Sequence, residues 1–134
     1  MTKKKILIAT GGTGGHIFPA LSLAKNLIKK NYDIILTTDK RGLKYLSDIN
    51  EINLKKITSS PLVKKNIFRL IYSAFLICYS TVKSLFLLSL NRPNIIIGMG
   101  GYSSFPVCIA ATILRIKFTI YENNLIIGKA NKYL

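Results

Sequence analysis

Acidic residues are scarce in this sequence: five Asp and Glu stand against 20 Lys and Arg in 134 residues, a formal net charge of +15. So large a basic excess points to anionic partners, whether nucleic acid, an anionic membrane surface or phosphorylated ligands. Part of it is compositional. Isoleucine (21), lysine (16) and asparagine (10) make up over a third of the chain, a drift that enriches all three types together. Histidine occurs once and cysteine twice, at Cys78 and Cys108, so no zinc-ligand spacing exists. Both cysteines stand in apolar runs, where a free thiol behaves as a small hydrophobe, and a reducing cytoplasmic compartment is expected. The apolar run after the basic N-terminus, Ile6 to Ala9, is too short for the core of an export signal. A 49% hydrophobic content excludes a disordered tail, and the length suits one domain.

What is present alternates in type. Lys5 to Thr10 is a continuous apolar run, as expected of a strand buried on both faces of a parallel sheet. It leads into Gly11-Gly-Thr-Gly-Gly15 and an amphipathic stretch in which Leu21, Ala24, Leu27 and Ile28 share a face. Lys25, Lys29 and Lys30 are expected to face water on the other side. Further strands are expected at 34–38, 52–58, 94–98 and 117–121, and helices at 40–48, 66–90 and 104–114, with another beginning at Lys129. Strands alternating with helices imply an α/β domain with a parallel sheet, Rossmann-like, with helices on both faces. In such sheets ligands gather beyond the carboxyl ends of the strands.

Seven of the nine glycines lie in two loops, 11–15 and 98–101, each directly after an expected strand. Glycine there permits close backbone approach and exposes amides beside a helix N-terminus, whose dipole favours an anion. Tight strand-to-helix turns also need glycine, but two such loops at one sheet edge point to a ligand. The common nucleotide fingerprints fail: Ile17 stands where a dinucleotide motif starting at Gly12 needs glycine, and no lysine occurs between Lys5 and Lys25 for a P-loop. Asp39, at the end of the second strand, resembles a ribose-binding carboxylate only weakly and also suits a turn. His16 follows the first loop, where it can donate to a phosphate or relay a proton, or simply fill the loop. Glu122 is the one carboxylate expected at the ligand edge.

These residues carry a resemblance. Ala9-Thr-Gly-Gly-Thr-Gly-Gly-His-Ile-Phe-Pro-Ala20 resembles the N-terminal signature of the MurG family, and Ile97-Gly-Met-Gly-Gly-Tyr-Ser-Ser-Phe-Pro106 its second glycine loop. Tyr121-Glu-Asn-Asn124, followed by Gly128-Lys-Ala-Asn-Lys132, resembles a third motif, usually His-Glu-Gln-Asn. Tyr121 and Asn123 depart from that pattern, and loop 59–65 lacks the usual glycine- and arginine-rich sequence. The family transfers N-acetylglucosamine from UDP-N-acetylglucosamine to undecaprenyl-diphosphate-linked muramoylpentapeptide. The resemblance implies the N-terminal half of a two-domain, GT-B type glycosyltransferase, spanning 1–134, with a C-terminal donor-binding domain absent from the chain. By motif, Thr13, Gly14, Gly15 and Asn124 would contact the donor. Gly98, Gly100, Gly101 and Tyr102 would cradle the acceptor diphosphate. His16 and Glu122 would be the catalytic polar groups, either one the base. Neither a metal nor a cofactor beyond the nucleotide sugar is implied, and the isolated chain is expected to lack activity.

Ile67 to Leu90 is long enough to span a bilayer, but Arg69, Lys83 and several hydroxyl residues interrupt it. The sequence favours a buried crossover helix. A second option is a helix on the sheet whose outer apolar patch lies in the lipid interface, with Lys64, Lys65, Arg69 and Lys83 near anionic headgroups. The resemblance implies peripheral attachment at the cytoplasmic face of the cell membrane. Two other readings compete: the docking subunit of a split glycosyltransferase, paired with a separate donor-binding chain, and a non-catalytic phosphate- or nucleic-acid-binding module. Against nucleic acid, the basic residues are scattered and no recognised motif appears.

Overall fold

The computed structural model describes residues 3–46, 52–58 and 67–122. Five strands form one parallel sheet: β1 (Lys5–Ala9), β2 (Asp33–Thr38), β3 (Asn53–Lys56), β4 (Ile95–Gly98) and β5 (Phe118–Ile120). Their spatial order is β3-β2-β1-β4-β5. The helices are α1 (Gly14–Lys29), α2 (Lys40–Leu43), α3 (Ile67–Asn91) and α4 (Ser104–Ile113). The apolar runs become central strands because both faces of the sheet are covered. Ile6 and Ile8 point to a core shared with Ile34, Leu36 and the α1 residues Ile17, Ala20 and Ala24. Leu7 and Ala9 point the other way, to a core shared with Ile35, Ile96, Leu88 of α3 and Val107, Ala110 and Ala111 of α4. Successive residues alternate faces, so a strand buried on both sides reads as unbroken hydrophobicity.

The strand order sets the site. From β1 the chain builds outward through β2 to β3, then returns along α3 and continues from β4 to β5 on the other side. The direction of winding therefore reverses between β1 and β4, whose last residues Ala9 and Gly98 are register partners. A crevice opens beyond the carboxyl ends of two strands at such a point. The glycine loops are the segments leaving those two strands.

Some expectations are corrected. The first glycine loop is shorter than expected, because α1 already begins at Gly14 and takes His16 into its first turn. Regular helix after β2 ends at Leu43, and residues 47–48 of the expected longer helix lie outside the described residues, as do loop 59–65 and the segment from Lys129. The larger correction concerns α3. It does cross over from β3 to β4, but only 17% of its most apolar stretch is buried. Its buried residues are Ser73, Ser80, Ser84 and Leu88. Phe75, Phe86 and Leu90 are 66%, 70% and 74% exposed. The helix is inside out: small hydroxyl residues make up most of its buried side, Ser80 Oγ donating to the Thr58 carbonyl at 2.5 Å, while its aromatic side faces outward.

Candidate functional site

The two glycine loops touch. The Gly11 amide donates to the Gly100 carbonyl oxygen at 2.9 Å, and the Met99 amide to the Ala9 carbonyl at 2.7 Å. At Gly11 a Cβ would stand 2.8 Å from the Gly101 Cα, and at Gly101 one would stand 2.5 Å from the Gly11 Cα. No side chain fits between them, which is why both positions are glycine. Gly100 and Gly101 also hold φ of 82° and 81°, in the left-handed region. Thus sequence segments about ninety residues apart form one backbone surface at the reversal point.

In neither helix that opens here does the N-cap residue's own side chain cap the helix. Thr13 occupies the N-cap of α1, is extended and makes no cap hydrogen bond, and the first turn holds no acid. Ser103 occupies the N-cap of α4, also without capping it. Helix N-termini carry unpaired amides and a partial positive charge, and a capping oxygen would normally occupy them. Two N-termini left uncapped by their own N-cap residues, around a glycine–glycine contact, suit a phosphate or diphosphate.

His16 lies across this contact. Its Cδ2 would be 3.5 Å from a Cβ on Gly11 and 3.6 Å from one on Gly101, so the imidazole packs on the junction itself. Its Nδ1 is buried with no hydrogen-bond partner among the described residues. Such an orphan costs about 1–3 kcal/mol, a penalty more often retained at a site of chemistry than in a core. Glu122 follows β5 at the same edge and is partly exposed. The Tyr121 amide donates to the Gly98 carbonyl at 2.7 Å, which ties the Tyr121–Glu122 segment to the base of the second loop. Tyr102 is exposed on that loop. The structure therefore brings Thr13, Gly14, Gly15 and His16 to one side of the reversal point and Gly98, Gly100, Gly101, Tyr102 and Glu122 to the other. Asn124 lies outside the described residues.

Asp39 is structural. Its carboxylate accepts from the Arg41 and Gly42 amides at 2.9 and 3.1 Å as the N-cap of α2, and pairs with the Arg41 guanidinium at 2.8 Å. Cys108 is buried against the second loop's strand, and burial pushes its thiol up from 9.0 to about 12, so it behaves as a packing residue. Cys78, by contrast, is exposed on α3, not enclosed in an apolar core as its neighbours suggest. Among the described residues no three His, Cys, Asp or Glu side chains converge that could hold a metal ion. One contributor is missed by sequence reasoning: Ser103, whose hydroxyl donates to the Thr10 carbonyl at 2.6 Å in a buried contact. Its position at a helix start signals a cap, and its actual partner lies too far away in sequence to be read.

The family model for the glycosyltransferase family 28 N-terminal domain matches residues 6–134. Among curated relatives, the UDP-N-acetylglucosamine–N-acetylmuramyl-(pentapeptide) pyrophosphoryl-undecaprenol N-acetylglucosamine transferase of Pelagibacter ubique is 38% identical over 130 residues. That match covers 97% of this chain and 36% of the relative. The enzyme of the same name from the Wolbachia of Brugia malayi is 41% identical, covering 96% of this chain and 35% of the relative. The chain thus spans about a third of the length of the curated relatives it matches. Among solved structures, MurG of Acinetobacter baumannii superposes with a TM-score of 0.83 at 28% identity, covering 97% of this chain and 38% of that one. A Streptomyces glycosyltransferase, at 12% identity and a TM-score of 0.69, shares the fold, covering 97% of this chain and 42% of that one. With nearly its whole length matched by the family model, by the curated relatives and by a solved MurG, the chain belongs to glycosyltransferase family 28 as a MurG-like N-terminal domain.

Proposed function

We propose that this chain is the acceptor-side half of an inverting glycosyltransferase. The reaction moves N-acetylglucosamine from UDP-N-acetylglucosamine to a lipid-diphosphate-linked muramoylpentapeptide. The observation that carries the reading is the Gly11–Gly100 junction with two uncapped helix N-termini beside it. The acceptor hydroxyl oxygen bonds to the anomeric carbon while the bond from that carbon to UDP breaks, and UDP leaves with the electron pair. The hydroxyl proton passes to a base, His16 or Glu122. His16 has the better seat, packed on the junction with a buried nitrogen that has no partner among the described residues, while Glu122 sits on the segment tied to Gly98. Thr13, Gly14, Gly15 and Asn124 contact the donor. Gly100, Gly101 and Tyr102 hold the acceptor diphosphate, with Gly98 anchoring their loop. Amides and helix dipoles stabilise the diphosphate charge in this arrangement.

The donor sugar nucleotide needs a second, C-terminal half, in the same polypeptide or a separate chain, since this sequence spans about a third of its relatives. The acceptor's lipid tail needs a bilayer nearby. The outward aromatic side of α3 supplies the contact, lying in the cytoplasmic interface of the membrane with Arg69 and Lys83 toward anionic headgroups. Titrating the chain with a short-chain lipid diphosphate tests the acceptor site. Binding that disappears in Gly101→Val supports the reading, and equal binding by the variant contradicts it.

A further inference from the structure

We propose that Ser103 is a positioning residue that locks the two glycine loops into one unit, so that an anion held by either loop is felt by both. The inference rests on the reading of these loops as the diphosphate-binding elements. Ser103 stands at the N-cap of α4, where a serine ordinarily turns its oxygen onto its own helix amides. Here the hydroxyl is used elsewhere. It donates to the Thr10 carbonyl at 2.6 Å, a residue 93 positions earlier, and Ser103 is buried. Thr10 is held from its other side as well, its amide donating to the Thr37 carbonyl at 2.9 Å. The residue that leads into the first loop is therefore clamped between β2 and the second loop.

The next contact in line is the Gly11–Gly100 hydrogen bond, and beyond it His16 rests on Gly11 and Gly101 together. A displacement of Ser103 would move Thr10, then the Gly11 amide, then the seat of the imidazole. Ser104 adds a local brace, its hydroxyl donating to the Gly101 carbonyl at 2.8 Å, so the second loop is stiff on its own and Ser103 transmits that stiffness to the first. Forgoing the cap also leaves the α4 amides without the Ser103 oxygen, so a single side-chain choice affects both segments. Two ligands touching a rigid shared unit are coupled, and the coupling is reciprocal.

The full chain tests this in two ways. In amide hydrogen exchange, Ser103→Ala accelerates exchange at Gly11 by about tenfold, the worth of roughly one hydrogen bond, while Leu7 and Ile8 in β1 stay protected. Ser103→Thr keeps the hydroxyl and retains the protection. An unchanged Gly11 amide in Ser103→Ala overturns the lock, as does acceleration of every amide together, or the same loss in both variants. In a pyrophosphate titration followed by amide chemical shifts, the Gly14 and Gly101 amides of the native chain report one dissociation constant, and in Ser103→Ala the two values part. Two unrelated constants in the native chain overturn the coupling. If pyrophosphate does not bind at all, the functional reading of the loops fails, while the exchange experiment still decides whether Ser103 locks them.

Discussion

The amide of Gly11 hydrogen-bonds the carbonyl of Gly100 at 2.9 Å, joining loops that leave the two strands between which the sheet reverses its winding. The contact is backbone on backbone, so it is sensitive to one methyl group. Gly11→Ala would set a Cβ 2.8 Å from the Gly101 Cα and 3.2 Å from the Gly100 oxygen. A loss of about 1–3 kcal/mol is expected in urea unfolding. Gly15→Ala is the matched control, since nothing lies within 4 Å of its added Cβ and alanine favours a helix. It should be neutral or stabilising by up to about 1 kcal/mol. Equal losses in both variants would contradict the junction.

Asp39 separates a structural carboxylate from a ligand-binding one. Its oxygens are committed to the Arg41 and Gly42 amides and to the Arg41 side chain. Asp39→Ala should cost about 0.5–2 kcal/mol as a lost cap and leave pyrophosphate binding unchanged. Weaker binding at equal folded fraction would return Asp39 to the site.

The Cys108 thiol, pushed up to about 12 by burial, gives a pH signature. Its unfolded counterpart loses a proton near 9.0 while the folded thiol keeps it, so the unfolded state binds fewer protons above that pH. Stability is therefore undiminished below pH 9.0 and falls as pH rises toward 12, by up to about 1.4 kcal/mol per pH unit from this group. Cys108→Ala should remove that component from an unfolding series at alkaline pH. Before unfolding, exposed Cys78 should react with a thiol reagent and Cys108 should not.

The outward side of α3 makes a prediction about vesicles. Replacing Phe75 and Phe86 together with serine should weaken binding to anionic vesicles by about tenfold or more. Both side chains are exposed, so stability should change by less than about 0.5 kcal/mol. Ser80→Ala should do the reverse, losing about 1 kcal/mol with its bond to Thr58 and leaving vesicle binding intact. Native binding should fall as salt rises. Salt-independent binding would remove the electrostatic part of the contact.

Much of this was legible in the residues. The apolar run before Gly11 and the Ile95–Gly98 run after Pro93 announced two central strands, and the glycines announced the turns that follow them. The alternation of elements was enough for the fold class and for placing both loops at one edge. That the loops touch was not legible, because it depends on β1 and β4 being sheet neighbours, and strand order is a long-range property. Ser103 was hidden for the same reason: at a helix start a serine looks like a cap, whatever its oxygen does. The α3 helix misled through its composition. Hydropathy reports how apolar a segment is and not which way it faces, although Ser73, Ser80 and Ser84 at helical spacing already marked one small, hydroxyl-bearing side.

The most direct test of the central claim is a glycosyl-transfer assay with UDP-N-acetylglucosamine and the lipid-diphosphate acceptor. The chain is assayed alone and with the donor-binding half of a family 28 relative supplied separately. Transfer is expected only when both halves are present, and replacing the true base, His16 or Glu122, with alanine should slow it by about 100-fold or more. Transfer by the chain alone, or transfer that survives both substitutions undiminished, would contradict the account.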